Sequence, residues 1–366
     1  MLPDPGLYVH LPWCVRKCPY CDFNSHPLKS EQNLDDYVDA LLDDFESRQS
    51  GLAFASVFFG GGTPSLFHPE HFDRLISAFP LLPDAEITLE ANPGTTEHAD
   101  FSAYARAGIT RVSIGAQSFD DDHLSKLGRI HSGREVAEAI SAVAESDIET
   151  FNVDLMWGLP GQTTAQALLD LDRALEFNPD HLSWYQLTIE AKTEFARRPP
   201  ILPKDQVLAE IEAEGLPVIE AHGLRRYEVS AFAANDRQCL HNLNYWRFGD
   251  YVGLGAGAHG KETGQGEIWR TQKPHQPRLY LDDPARTARH RVEPCDVAFE
   301  FMLNALRLTD GVCWPLFETR TGLSRQTIAS KWQALHQRGL VEPDRCACTK
   351  LGYRYLDSVV AEFTEM

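Results

Sequence analysis

A chain of 366 residues with 43% apolar content can bury a full core, which excludes disorder as its governing state and suits one large domain with a smaller companion. With 53 acidic against 34 basic residues the formal charge is −19, so the surface repels phosphate backbones and nucleic acid is not an expected partner. The opening MLPDPGLYVHLPWC shows no basic region leading into an apolar stretch, and no apolar run is long enough for a bilayer, so neither a secretory signal nor a membrane span is expected.

Short β-rich runs alternate with helical patterns along the first two thirds of the chain. GLYVH at 6–10 precedes a helix over 34–48, and ASVFF at 55–59 precedes one over 69–79. EITLE at 86–90 is followed by a helix over 97–107, RVSIG at 111–115 by one over 133–147, and FNVDLM at 151–156 by one over 164–177. A sixth strand, LSWYQL at 182–187, leads to a helix over 204–222. Six strand–helix units predict an α/β fold with a parallel sheet and right-handed crossovers, either doubly wound or a partial barrel, over residues 1–235. Residues 236–295, rich in Gly, Asn, Pro and Arg, read as loops and turns that contain HNLNYW at 241–246 and GLGAGAHG at 253–260. The latter lacks the third glycine and the distant acidic residue of a dinucleotide fingerprint, so it reads as a tight turn. From 296 to 366 the pattern is helical: VAFEFMLNALRL, then SRQTIASKWQALHQRGL with Gly339 as its stop, a short hairpin around Leu340 and Val341, and a last helix from Gly352 to Phe363. This order predicts a small winged-helix-like domain, but its eight Lys and Arg against nine Asp and Glu lack the basic footprint of a DNA reader.

Three of the eight cysteines, Cys14, Cys18 and Cys21, fall within eight residues as C-x3-C-x2-C, directly after the first strand. A chain this long without an export signal is expected to keep its thiols reduced in the cytoplasm, so the cluster reads as a metal site rather than a disulfide framework. Three thiolates can grip one inorganic cluster and leave an iron open to a small chelating molecule. The competing reading is a Cys3His zinc site completed by His26 or His10. Phe23 occupies the next cysteine-like spacing.

With Tyr20 before its last cysteine, C-x3-C-x2-C resembles the signature of the radical S-adenosylmethionine (SAM) superfamily. That resemblance implies a [4Fe-4S] cluster on Cys14, Cys18 and Cys21, SAM chelated to the open iron, and a partial (β/α)6 barrel, which agrees with the six units counted above. Ligands of parallel α/β folds bind at the carboxyl ends of the strands. Gly60, Gly61, Gly62 and Thr63 follow strand two, Glu90 ends strand three, Gln117 follows strand four, Asp154 lies late in strand five, and Arg129 falls in a nearby loop. Each alone has an ordinary explanation as a turn, a surface charge or a cap, and their shared rim is what makes them a candidate site. The glycines permit close backbone approach, Arg129 suits the methionine carboxylate, and Asp154 suits the ribose hydroxyls.

The patterns YVHxPxC, GGGTP, QSF and NxDLxxGLPxQ are similar to those of the oxygen-independent coproporphyrinogen oxidases, and the similarity runs through nearly the whole chain. It implies that Tyr8, Tyr20, Glu90 and Gln117 line the SAM pocket with the residues above. The true oxidase carries a further cysteine two residues after the third and a longer N-terminal arm, whereas here Phe23 stands at that place and thirteen residues precede Cys14. Both departures point to the heme-chaperone branch, whose members bind heme and pass it to respiratory hemoproteins. HNLNYW resembles that branch's heme-associated motif and offers His241 as an axial ligand with Tyr245 and Trp246 as porphyrin-covering aromatics, while His259 is a secondary candidate. Read without the resemblance, the same residues satisfy loop backbone groups and pack as core. Expected partners are heme and its acceptor proteins, with a second copy of the chain as a further candidate. The alternative functions are coproporphyrinogen dehydrogenase and radical SAM chemistry on another substrate.

Overall fold

The computed structural model describes residues 4–29, 33–48, 51–95 and 100–364. Six parallel strands form the centre of the sheet: β1 (Gly6–Leu11), β2 (Phe54–Gly61), β3 (Leu81–Ala91), β4 (Arg111–Gln117), β5 (Thr150–Trp157) and β6 (His181–Gln186). Each coincides with an expected run to within a few residues. They pair in sequence order, with registers such as Tyr8 against Phe58 and Asp154 against Ser183. All seven residues of β4 are buried, the pattern of a strand covered on both faces.

The helices that cover the sheet are set by local chemistry. Ser132 and Glu135 form a reciprocal cap on Gly133–Ala144, and Thr163 and Gln166 do the same on Thr164–Leu175. The helix expected over 97–107 runs Phe101–Arg106 and is capped by Asp100; its expected start at 97 lies outside the described residues. Among the described residues no helix is long and apolar enough to cross a membrane.

Residues 236–295 differ from expectation. They contain β9 (Tyr251–Leu254), β10 (His259–Gly264), β11 (Glu267–Gln272) and β12 (Ala288–Arg291), and on the other edge lie β7 (Arg225–Arg226) and β8 (Ala231–Ala233). The sheet is therefore open and twelve-stranded, in the order β12-β11-β10-β9-β1-β2-β3-β4-β5-β6-β8-β7. Strand β9 joins β1 in parallel, while β10 to β12 follow antiparallel. HNLNYW likewise is not a loop but most of the helix Leu240–Trp246. Within GLGAGAHG the turn is confined to the residues between Leu254 and His259.

Beyond the sheet come the helices Val297–Ala305, Trp314–Thr321 and Ala329–Gln337, with Gly339 at φ +73° just past the last of them. Bridges Val312–Cys346 and Val341–Cys348 make the short wing. The expected final helix is split at Tyr355 into Lys350–Arg354 and Leu356–Ala361. Phe301, Phe317 and Trp332 form a core here that Phe248 and Ile268 join, so this helical unit packs on the added strands.

Candidate functional site

Strand β1 delivers the chain into a loop held at both ends. The His26 amide donates to the Pro12 carbonyl at 2.7 Å and the Leu28 amide to the Cys14 carbonyl at 2.8 Å, closing a two-residue parallel ladder between 13–14 and 26–27. Within that loop the Cys21 amide donates to the Cys18 carbonyl. Cys14, Cys18 and Cys21 all line one cavity of about 460 Å³, and all eight cysteines of the chain are unpaired. Burial raises the thiol pKa of Cys14 and of Cys21.

Both imidazoles of the zinc reading are already engaged in hydrogen bonds. His10 bonds Tyr8 Oη through Nδ1 and the Asn24 carbonyl through Nε2, both at 2.9 Å, while His26 Nε2 meets Asn24 Oδ1. Among the described residues no three His, Cys, Asp or Glu side chains converge as ligands of a single ion.

The strand-end residues gather opposite the thiols. Gly61, Gly62, Thr63, Glu90, Gln117, Arg129, Asp154 and Tyr20 line the same cavity as the three cysteines. Gly61 has φ +117°, and a Cβ on Gly62 would collide with the carbonyl of Trp13 and come within 2.8 Å of the Pro12 carbonyl carbon, so this turn accepts only glycine. The Gly61 amide donates to Glu90 Oε2 at 3.1 Å. Burial, and next the charge of Asp154, push the Glu90 carboxyl up to about 7. Asp154 is held by Asn152 Nδ2 at 2.8 Å and Ser113 Oγ at 3.1 Å, and burial raises its pKa too. Gln117 sits at φ +69° where β4 bulges against β5, and its Oε1 accepts from Tyr185 Oη at 2.6 Å. Arg129 donates to the Gly115 carbonyl at 2.7 Å, to Asn92 Oδ1 and to Cys18 Sγ at 3.8 Å, linking the rim to a thiol.

Tyr8 is placed differently. It lines a second cavity of about 760 Å³ that adjoins the first across Phe23, Gly61, Glu90 and Asp154. Tyr245 and Asn242 belong to this second wall as well. His241 does not reach it. That side chain is 1% exposed, with Nδ1 on Ser56 Oγ and Nε2 on Tyr245 Oη, both at 2.9 Å, and it stacks on Phe58 at 5.1 Å. Burial lowers its pKa to about 3. Trp246 faces a third, smaller cavity, under the guanidinium of Arg307 at 4.3 Å. Tyr245 lines this third cavity together with Trp246 as well as the second, so the two aromatics share one wall, while the His241 imidazole is bonded at both nitrogens.

Sequence reasoning passed over Asn92, Ser113, Ser183 and Tyr185, all of which line the first cavity. The strand-end rule that found Glu90 and Asp154 applies equally to Asn92, which directly follows β3, and to Tyr185, the penultimate residue of β6, whereas Ser113 and Ser183 lie in the first half of β4 and β6, where that rule does not reach.

Comparison with known proteins gives a consistent result. Residues 8–173 match the radical SAM superfamily and residues 292–354 the HemN C-terminal domain. The chain is 46% identical to the heme chaperone HemW of Escherichia coli (strain K12) over 372 residues, covering 99% of this chain and 98% of that one. It is 45% identical to the heme chaperone HemW of Haemophilus influenzae, with the same coverage. A mitochondrial radical S-adenosyl methionine domain-containing protein 1 from Danio rerio is 33% identical across 98% of this chain and 86% of that one. In three dimensions the chain is similar to coproporphyrinogen III oxidase (HemN) from Escherichia coli, with a TM-score of 0.82 at 22% identity over 99% of this chain and 90% of that one.

Proposed function

The chain belongs to the family of the heme chaperone HemW within the radical SAM superfamily, and from that premise we propose that it takes up heme in its second cavity and hands it to a heme-requiring respiratory protein. The observation that carries this reading is full-length similarity to HemW joined to an aromatic-walled cavity of about 760 Å³ beside the three-thiol site. That volume falls within the range of small-molecule sites. Tyr8, Phe58, Tyr245 and Tyr251 give it the flat apolar surfaces a porphyrin buries.

The donor set of the first cavity fits the family's cofactors. Three thiols without a fourth cysteine suit a [4Fe-4S] cluster on Cys14, Cys18 and Cys21, which when bound supplies an open iron for SAM and an electron. Around it the turn of Gly61, Gly62 and Thr63 lines the cavity where the amino group would lie. Arg129 keeps N–H groups for the carboxylate. Asp154, oriented by Asn152 and Ser113, accepts from the ribose hydroxyls. Glu90, Gln117 and Tyr20 complete the wall, and Tyr8 serves the neighbouring cavity. Eight unpaired cysteines support a reducing, cytoplasmic setting.

The alternative, an oxygen-independent coproporphyrinogen III dehydrogenase, shares the fold, but Phe23 stands where the oxidase pattern has its further cysteine. Anaerobic reconstitution followed by parallel heme titration and a coproporphyrinogen turnover assay separates the two. Heme uptake without decarboxylation is expected; release of carbon dioxide with SAM consumption overturns the chaperone reading. Replacing any one of Cys14, Cys18 and Cys21 by Ser is expected to abolish the visible thiolate-to-iron absorption. Zinc without sulfide in anaerobically purified protein would refute the cluster.

A further inference from the structure

The strand order gives the second cavity two unlike halves. Tyr251 of β9, Tyr8 of β1 and Phe58 of β2 come from three neighbouring strands, and Tyr245 meets Tyr251 at a ring separation of 4.6 Å. The lining from β3 to β6 is polar instead, with Glu90, Arg111, Asn152, Asp154 and His181. An aromatic half joined to a charged half suits an amphipathic molecule.

Most buried polar side chains in this lining are committed to one another. His10 is bonded at both nitrogens. His181 is as well: Nδ1 meets Asn152 Oδ1 at 2.6 Å and Nε2 meets Tyr227 Oη at 2.9 Å. Asn152 Nδ2 and Ser113 Oγ donate to Asp154. Arg111, at the start of β4, is the exception. It is 4% exposed, and among the described residues its guanidinium has neither a hydrogen bond nor an ion pair. Glu86 on the adjoining β3 does not pair with it, because its oxygens accept from Cys239 Sγ at 3.3 Å and from the amides of Leu240 and His241 at 3.0 and 3.1 Å. A guanidinium stays charged at neutral pH, and a buried charge is ordinarily paired. Arg111 therefore gives the cavity wall a fixed positive charge with its planar N–H fork uncommitted, the geometry that a carboxylate matches. The side-chain amide of Asn242, also without a partner among the described residues, lines the same cavity and adds a donor. A phosphate suits the place less well, since its further charge would face Asp154 and Glu90.

We propose that Arg111 anchors a carboxylate-binding site in the second cavity, which takes an amphipathic organic acid with its carboxylate on the guanidinium and its apolar body against Tyr8, Phe58 and Tyr245. A free organic acid and the propionate of a porphyrin share this chemistry.

The test is calorimetric titration of full-length, anaerobically reconstituted protein with two matched pairs of probes, phenylpropionate against phenylpropionamide and protoporphyrin against its dimethyl ester. Wild-type protein should bind at least one of the two acids, and bind its uncharged counterpart roughly ten- to hundredfold more weakly, the range for one charged hydrogen-bonded contact. A preference within the first pair identifies a free acid as the ligand, and a preference confined to the second identifies a porphyrin propionate. Arg111→Gln should bring acid and uncharged counterpart to equal affinity, and Arg111→Lys, which keeps the charge without the fork, should fall between. The wild-type comparison decides the matter even if Arg111→Gln fails to fold. Binding of neither acid, equal affinity within both pairs, or an acid preference that survives in folded Arg111→Gln overturns the site.

Discussion

Replacing Arg129 by Ala tests the SAM-side geometry most directly. A guanidinium carries five N–H donors, and three are engaged within the protein, on the Gly115 carbonyl, Asn92 Oδ1 and Cys18 Sγ. The guanidinium also lies against the Tyr20 hydroxyl, so an incoming carboxylate takes up the N–H groups that remain. A hydrogen bond to a charged partner contributes about 1.5–3 kcal/mol, which at about 1.4 kcal/mol per decade is roughly a ten- to hundredfold weakening of SAM binding. The substitution also removes the donor beside Cys18, so cluster content has to be measured alongside. The assay is equilibrium dialysis or calorimetry with SAM on anaerobically reconstituted protein, normalised to iron and sulfide. Arg129→Lys keeps the charge without the planar fork and should fall between wild type and Ala. An unchanged Kd in Arg129→Ala at full cluster content would refute the assignment of the carboxylate to this side chain.

Gly62→Ala pushes a methyl group into the Trp13 carbonyl, a backbone atom with no rotamer to yield, so thermal unfolding should show a loss of about 1–3 kcal/mol together with reduced iron loading. A Tm within a degree of wild type would show that the turn relaxes freely. Glu90→Gln should change the pH dependence of stability in the ligand-free protein. The folded carboxyl, at about 7 against an ordinary 4.5, holds its proton more tightly than the unfolded one, so wild type loses stability as pH rises between those values. The difference between wild type and Glu90→Gln should therefore shift in favour of the variant between pH 5 and pH 8; a pH-independent difference contradicts the raised pKa.

The central fold was legible because its signals are local. Runs such as VFF and ITL between glycines and prolines mark strands buried on both faces, and Ser132 with Glu135 or Thr163 with Gln166 mark helix starts three residues apart. The cysteine triad was legible for the same reason, its chemistry lying within eight residues. The edge of the sheet was not. Strand β10, HGKETG, has no apolar side chain, and all four residues of β12 are exposed, so neither carries a burial pattern; what makes them strands is a ladder to partners the sequence does not point to. His241 illustrates the limit for site residues. A histidine near two aromatics reads as a ligand set, yet its state is decided by the Ser56 hydroxyl 185 positions away and by the Tyr245 hydroxyl one helical turn on.

The place of His241 in the site rests on a single physical criterion, whether a nitrogen must give up a bond before it binds metal. Breaking the Ser56 or Tyr245 bond would leave a buried hydroxyl without its partner, a cost of about 1–3 kcal/mol before any iron bond forms. The HNLNYW helix shapes the second cavity through packing: His241 fixes Tyr245 at a ring separation of 4.8 Å, and Tyr245 and Asn242 form part of the wall. Phe23 extends the same logic to the partition between the cavities. As an exposed aromatic shared by both, it offers a flat apolar face, where a cysteine would present another thiol to the cluster side. One side chain two residues past the third cysteine thus makes the shared wall apolar where a thiol would make it metal-ligating.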